Sequence, residues 1–389
     1  MDNFVFDIKT KVYFGKDTLK ELWSEILNKT DRVLFCYGGG SIKNNGIYDQ
    51  IILGLKENNI FYKELTNISP NPDIESVDEG VKICREHNLT GILAVGGGSV
   101  IDTAKVISAG VNKEYSDPWE IMKKGERNYA LLPVFTVTTL SATGSEMNAV
   151  SVMTNKKLKL KQSTITAHPV CSIIDPTFTN SVPKIHLIAG VVDIISHTLE
   201  DYFSLERDSY LLDGFSISII KTCIKYGKVL LTDPTNYEAK ANLAWASTYA
   251  INGVIAHGKP HAWTFHVISH PITHYYGLTH GLTFSILMPH WMEYVLNEQR
   301  VEPFYRLGVE VFGIDKNLPK MEVAKQTIEE FKNFFKLIGA PLKFSEVGVD
   351  DRHFNEIVEN LNITANERRF VPFDKQDVLN ILRSALWKR

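Results

Sequence analysis

The sequence predicts a chain in two parts, an α/β domain over residues 1–183 and an all-helical domain over residues 184–389. Three observations carry that reading. Apolar runs rich in β-branched residues alternate with helical patterns up to about residue 185. Beyond it the apolar spacing settles near the helical period of about 3.6 residues. And seven of the chain's 12 histidines crowd into the stretch from His257 to His290.

Taken in order, the first strand signal is KVYFG, near the N terminus. RVLFCY (32–37) then runs into a glycine triplet and a helix-like IYDQIILGLKEN. IFYKEL (60–65) precedes SPNPDIESVDEGVKICREHN, a helix whose start is marked by Pro and Asp. GILAVGGGSVIDTAKVISAG (91–110) repeats the strand, glycine, helix order, and LLPVFTVTT (131–139) and VCSIIDP (170–176) add two strands. Strands alternating with helices imply a mostly parallel sheet covered on both faces. From about Ile185 the segments IHLIAGVVDIISHTLEDYFS, YLLDGFSISIIKTCIKYGKVLL, YEAKANLAWASTYAINGVIAHG and MEVAKQTIEEFKNFFKLIG all follow the helical period. The change falls near Val182-Pro183, the predicted domain boundary.

Composition narrows the function classes. Hydrophobic residues make up 44% and charged residues 22%, with a net charge of −3 and no block of like charges, which argues against nucleic acid or an anionic membrane as the main partner. The opening MDNFVFDIKTK lacks a signal peptide's apolar core, and no run approaches the length of a membrane span. Cys36, Cys84, Cys171 and Cys223 are scattered without a CxxC pair, as expected of reduced thiols in the cytoplasm.

Two glycine triplets, Gly38-Gly39-Gly40-Ser41 and Gly96-Gly97-Gly98-Ser99, each follow a strand and open a helix. A backbone without Cβ atoms at a helix N terminus suits a phosphate. Neither triplet matches GxGxxG, and each alone reads equally as a tight turn; two of them favour a dinucleotide. Asp102, in the first turn after the second triplet, reads either as an acceptor for a ligand or as an acid stabilised by the helix dipole. Thr138 to Glu146 adds five hydroxyls (Thr138, Thr139, Ser141, Thr143, Ser145) beside Gly144.

Asp193 and His197 stand four residues apart in an apolar helix, so they share one face. Burying both unpaired is costly, which leaves a divalent cation or an Asp–His hydrogen bond. His266 and His270 repeat the spacing, and His280 follows. One carboxylate with three imidazoles suits Zn2+, Fe2+ and their neighbours. His257, His274 and His290 read as caps or half-exposed helix positions, and His261 as a helix-start polar residue or a neighbour of cofactor or substrate.

With GGGSVIDTAK, ATGSE, AGVVDIISH and WTFHVISH…LTHG in this order, the chain resembles the iron-containing (group III) alcohol dehydrogenases. YGGGSIK…GIYDQ and PHWMEYVLN point to the butanol dehydrogenase branch, and the likeness spans essentially the whole chain. It implies an N-terminal α/β dinucleotide-binding domain and an all-helical metal- and substrate-binding domain, an architecture shared with the dehydroquinate synthases. The implied reaction is reversible reduction of a short- to medium-chain aldehyde, such as butyraldehyde, by NAD(P)H with one divalent metal, Fe2+ or Zn2+. Matched residue by residue, the metal falls on Asp193, His197, His266 and His280, and His270 becomes the histidine beside the substrate, the proton source. Gly97, Gly98 and Ser99 match the pyrophosphate loop, Asp102 a nicotinamide contact, Thr138 and Thr139 further cofactor contacts, and Gly39, Gly40 and Ser41 the loop beside the adenosine ribose. The resemblance also implies a homodimer, with KVYFG as the pairing strand. The chain departs from its relatives at Pro271 and Gly277, where they carry acidic residues, and at His261 and Ala262.

The strand before the first triplet ends Cys36-Tyr37 without an acid, and Ser41 and Lys43 follow, a pattern that tolerates a 2′-phosphate and leans toward NADPH. Two rival readings are a non-redox or polyol-phosphate enzyme of the same architecture and a catalytically idle nucleotide- and metal-binding protein. The first needs cations for an anionic substrate, yet no Arg occurs between Arg207 and Arg300.

Overall fold

A computed structural model describes residues 2–123, 130–158, 160–205, 209–260, 262–364 and 366–386. The chain divides into two compact units, Asp7–Pro183 and, as the second, Lys184–Arg389 together with Met1–Phe6.

The first unit is built on six parallel strands in the order β1-β8-β5-β4-β2-β3. They are β1 (Lys11–Phe14), β2 (Arg32–Tyr37), β3 (Phe61–Leu65), β4 (Gly91–Gly96), β5 (Val134–Thr138) and β8 (Cys171–Ile174). β4 and β5 are buried along their whole length, as central strands of a sheet covered on both faces must be. Side-chain alternation sorts them into two cores. Leu34, Cys36, Ile92 and Ala94 enter one, and Val33, Phe35, Leu93 and Val95 the other. The edge strands β1 and β3 are only partly buried. β1, the KVYF strand, pairs within its own sheet, Lys11 opposite Cys171.

One element was not legible. An antiparallel hairpin, β6 (Val150–Asn155) with β7 (Leu160–Ile165), lies outside the main sheet, paired from Val150↔Ile165 to Asn155↔Leu160. Its second strand, LKQSTI, is polar and partly exposed, so it gives no apolar run to read. The main sheet reverses its order between β2 and β4. The chain goes from β2 outward to β3, then returns to β4 on the other side of β2. In open α/β sheets, ligands bind beyond the C-terminal strand ends at such a switch point.

The second unit is helical. In the helix Lys184–Tyr202 every residue from Ile188 to Tyr202 is buried, so it is a core helix enclosed on all sides. Beside it runs the helix His280–Val295, buried from Gly281 to Pro289. The two approach closely at Gly281, where a Cβ would stand 2.1 Å from the carbonyl oxygen of Ala189 and 2.7 Å from its carbon. Backbone cannot give way as a side chain does. Gly281→Ala is therefore expected to cost about 2–3 kcal/mol through overpacking. It should also lower metal content, because His280 is the neighbouring residue; thermal melts of the metal-free protein and metal analysis check both.

The first residues group with this helical unit rather than with residues 7–183. Asp2 N donates to Gly258 O at 2.9 Å, and the rings of Phe4 and Phe6 pack edge-on to His257 at 5.0 and 5.4 Å. Local sequence gives no sign of this, because the partners are far along the chain, 252 positions from Val5 to His257. Among the described residues no helix is long and apolar enough to cross a membrane.

Candidate metal centre and nucleotide-binding loops

Asp193 and His197 sit one turn apart on the buried helix Lys184–Tyr202, as their spacing predicts. His197 Nε2 lies 3.8 Å from Asp193 Oδ1, too long for a hydrogen bond. The Asp–His hydrogen bond left open by the sequence is thus not formed, and His197 Nδ1 is buried with no hydrogen-bond partner.

His266 lies in the first turn of the helix Phe265–Tyr276, and His280 opens the helix His280–Val295. Ligand atoms of Asp193, His266 and His280 fall within 4.8 Å of one another. The His197 ring stacks on that of His266, centroids 4.8 Å apart and planes at 17°. A tetrahedral ion with bonds near 2.1 Å separates its ligands by about 3.4 Å, so a small inward adjustment suffices. Three imidazoles and one carboxylate suit a borderline divalent ion, so the donor set fits Fe2+ or Zn2+.

Neighbouring groups decide which nitrogens face such an ion. Glu200 Oε1 stands 3.0 Å from His266 Nδ1, and Ser269 Oγ 3.2 Å from His280 Nδ1, which leaves Nε2 of each ring as the nitrogen available to an ion. Glu200 also accepts from the backbone N–H of Thr264 (2.6 Å) and of His266 (2.9 Å), and it is 1% exposed. The sequence reading missed Glu200. Its signal was present: a third polar side chain on the Asp193–His197 face, three residues after His197. The rings of Phe284 (4.5 Å from His266, 4.7 Å from His280) and Trp263 (4.6 Å from His266) supply an apolar wall.

His270 is half-buried, its ring 5.8 Å from that of His266 and 5.1 Å from that of His280. It borders the donors without joining the group of three. The other histidines take different surroundings. His257 Nε2 meets Val5 O at 3.2 Å, His274 packs against Tyr275, and His290 Nδ1 meets Ser384 Oγ at 3.3 Å, with burial holding its pKa below the usual value. His261 lies outside the described residues. Gly277, one of the departures, ends its helix at φ +67, a backbone that disfavours the acid expected there. Pro271 lies inside the same helix.

In the α/β unit the three predicted loops gather at the C-terminal ends of neighbouring strands: Gly38–Gly40 after β2, Gly97–Ser99 after β4, and Thr138-Thr139 at the end of β5. A Cβ on Gly39 or Gly40 would meet nothing within 4 Å, so this backbone is open to a ligand. Gly98 differs. Its Cβ would collide with the Thr143 side chain at 2.3 Å, so that glycine serves loop packing. No side chain caps the helix Gly98–Gly110 that follows. The Thr138 hydroxyl is buried with no hydrogen-bond partner. An uncapped helix start, an open glycine backbone and an unsatisfied hydroxyl fit a dinucleotide.

Two of the predicted contacts are already engaged. Ser99 Oγ donates to Pro70 O at 2.6 Å, so toward a phosphate Ser99 offers its backbone N–H. Asp102 accepts from Ser145 Oγ at 2.5 Å and from Val152 N at 2.9 Å, one bond on each oxygen, which ties the Thr138–Glu146 loop and β6 to the helix. Burial pushes its carboxyl pKa up, opposed by Lys105 and by these bonds. Burial likewise pulls the Lys105 ammonium down to about 8, opposed by Asp102 and Glu146, while Lys105 donates to Val150 O at 2.8 Å. Beside the first triplet, Lys43 lies over the rings of Tyr37 and Tyr48, and both phenols donate to Glu64, at 2.6 and 2.9 Å. Glu64 comes from β3, which is why no acid shows at the end of β2.

Comparison with known proteins agrees with this geometry. The model of the iron-containing alcohol dehydrogenases matches residues 9–176, and that of the Fe-containing alcohol dehydrogenase family C-terminal part matches residues 187–386. The chain is 43% identical to NADH-dependent butanol dehydrogenase A of Clostridium acetobutylicum, over 99% of this chain and 100% of that one. It is 35% identical to an NADPH-dependent aldehyde reductase of Escherichia coli, over 93% of each. The crystal structure of NADH-dependent butanol dehydrogenase A from Thermotoga maritima superposes with a TM-score of 0.93 at 37% identity, covering 100% of this chain and 99% of that one. With both halves matched and relatives aligned along the full length, the chain belongs to the iron-containing alcohol dehydrogenase family, in its butanol dehydrogenase branch.

Proposed function

We propose that this protein reduces short- to medium-chain aldehydes such as butyraldehyde to primary alcohols, and runs the reverse reaction, with a divalent metal on Asp193, His197, His266 and His280. As a family member it is an NAD(P)H-dependent alcohol dehydrogenase, an oxidoreductase acting on alcohols and aldehydes. The observation that carries the metal reading is the convergence of Asp193, His266 and His280 donors within 4.8 Å. When bound, the metal supplies Lewis acidity toward the carbonyl oxygen and the nicotinamide supplies the hydride.

The chain's own residues do the rest. Glu200 and Ser269 hold two imidazoles with Nε2 inward. Trp263 and Phe284 keep water from the donors and favour an uncharged, apolar substrate. His270, half-buried beside them, delivers the proton to the product oxygen directly or through water. Gly97, Gly98 and Ser99 cradle the pyrophosphate by backbone, Gly39, Gly40 and Ser41 the adenosine end, and Thr138, Thr139 and Asp102 the nicotinamide end. An anionic, phosphorylated substrate is the weaker reading: Lys259, the one cation in the histidine stretch, donates to Asp213 at 2.6 Å. The deciding assay follows NAD(P)H with butyraldehyde after adding Fe2+, Zn2+ or Mn2+. Consumption supports the reading; bound metal without consumption on any aldehyde leaves the idle-protein alternative.

For the cofactor we favour NADPH, because both carboxylate oxygens of Glu64 accept from tyrosines and Ser41 and Lys43 face no nearby acid in sequence. Ser41→Asp is expected to lower kcat/KM for NADPH about tenfold or more through like-charge repulsion, with NADH much less affected. Steady-state rates with both cofactors check this; an unchanged NADPH rate removes Ser41 from the ribose site. The homodimer remains part of the proposal, with β1 as an edge strand available for pairing. Light scattering should read twice the 44.0 kDa of one chain.

A further inference from the structure

We propose that Arg369, in the C-terminal segment, is a positioning residue for the metal centre that acts through Glu200 on His266. This rests on the donor assignment above. Arg369 is 3% exposed, and a buried arginine is rare without a specific set of partners. Its Nη1 donates to the Trp263 carbonyl at 2.6 Å and to the Thr264 hydroxyl at 3.2 Å. Its Nη2 donates to Thr364 O at 2.9 Å, and the guanidinium lies over Phe373 at 4.5 Å. Trp263 and Thr264 are the last residues before the helix that carries His266. The N–H of Thr264 is in turn a donor to Glu200, and Glu200 meets His266 Nδ1. One guanidinium nitrogen, Nη1, therefore holds the loop whose amide holds the carboxylate that meets the imidazole.

Arg369 is itself held from both sides. It forms an antiparallel bridge with Ser204, just beyond the helix of Asp193, His197 and Glu200, and Leu205 N donates to Arg368 O at 3.3 Å. The next residue, Phe370, packs on Phe203, Trp291 and Phe304, centroids 5.4, 6.2 and 6.3 Å away. The segment thus has an apolar anchor on one side and a polar fork on the other. Burial lowers the Arg369 pKa and the charge of Glu200 opposes that, so the two buried charges sense each other. A staple for the fold needs partners anywhere along the chain. Two of the three side-chain hydrogen bonds of Arg369 end on the loop that orients a single candidate donor, at Trp263 and Thr264.

The test uses the full chain, metal-free, titrated with Co2+ alone. Affinity is read by chelator competition and donor geometry by the visible absorption of the bound Co2+. Arg369→Met and Glu200→Gln are each expected to weaken Co2+ binding about 10–100-fold and to change the absorption, the usual effect of losing an outer partner of a ligand. Arg369→Lys keeps the charge but not the planar fork, so it should fall between wild type and Arg369→Met. Wild-type affinity and absorption in Arg369→Met overturn the proposal, even if that variant melts earlier, because earlier melting alone marks a staple. If Arg369→Met does not fold, wild-type binding in Arg369→Lys overturns it instead. His266→Ala separates the two layers. Unchanged Co2+ affinity there means the donor assignment is wrong; lost affinity there, with Arg369→Met or Arg369→Lys binding normally, leaves the donors standing and removes the relay.

Discussion

Replacing His266 by Ala is expected to remove both the metal and the turnover. His266 contributes one of the three donors that converge within 4.8 Å, and its ring stacks on the fourth candidate, His197. Its loss leaves Asp193, His197 and His280 to hold an ion from two helices, with Glu200 no longer orienting any imidazole. Losing the Lewis acid removes several kcal/mol of transition-state stabilisation, so kcat/KM should fall by at least about 10³-fold. Metal analysis and NAD(P)H oxidation with butyraldehyde check the two halves separately. Metal that stays stoichiometric in the variant refutes the ligand assignment. Turnover without metal refutes the need for the centre.

The second large effect is expected at His270, with the opposite signature. His270→Asn should lower kcat about 10²–10⁴-fold, the range for losing a positioned proton donor, while metal content stays at the wild-type level. The ring lies 5.8 Å from His266 and 5.1 Å from His280, close enough to serve a substrate oxygen at a metal held there, yet it is half-buried where the candidate donors His197 and His266 are buried. Loss of metal together with activity would make His270 a ligand rather than a relay. An unchanged kcat would mean that water carries the proton unaided.

Much of the fold was legible because its signals are local. RVLFCY, GILAVG and VFTVT are buried on both faces, so no charged residue interrupts them, and glycines mark the ends of the first two. The hairpin of β6 and β7 was not legible, because polar strands outside the main sheet need no apolar run. The same division holds at the site. Asp193 with His197 was readable from spacing, since four residues along a helix return to one face. Glu200 shares that face, three residues after His197, and its burial and contacts with Thr264 and His266 appear only in the fold. Asp102 reads from sequence either as a ligand acceptor or as a first-turn acid, and only the fold shows that its two oxygens accept from Ser145 Oγ and Val152 N.

By itself, the sequence determined the strands of the main sheet, the change to helices near residue 183, the glycine loops and the donor types, because each depends on residues close together in the chain. Only the tertiary structure decided which donors meet and by which atom. The helices of Asp193 and His280 come together where a glycine lets one backbone touch the other, Gly281 against Ala189. Glu200 and Ser269 engage Nδ1 of His266 and His280, which leaves Nε2 of each ring to an ion. The Glu200 bonds to Thr264 and His266 join residues 64 and 66 positions apart, and those of Arg369 to Trp263 and Thr264 join residues 106 and 105 apart. At such separations periodicity carries no information, and packing alone sets the distance.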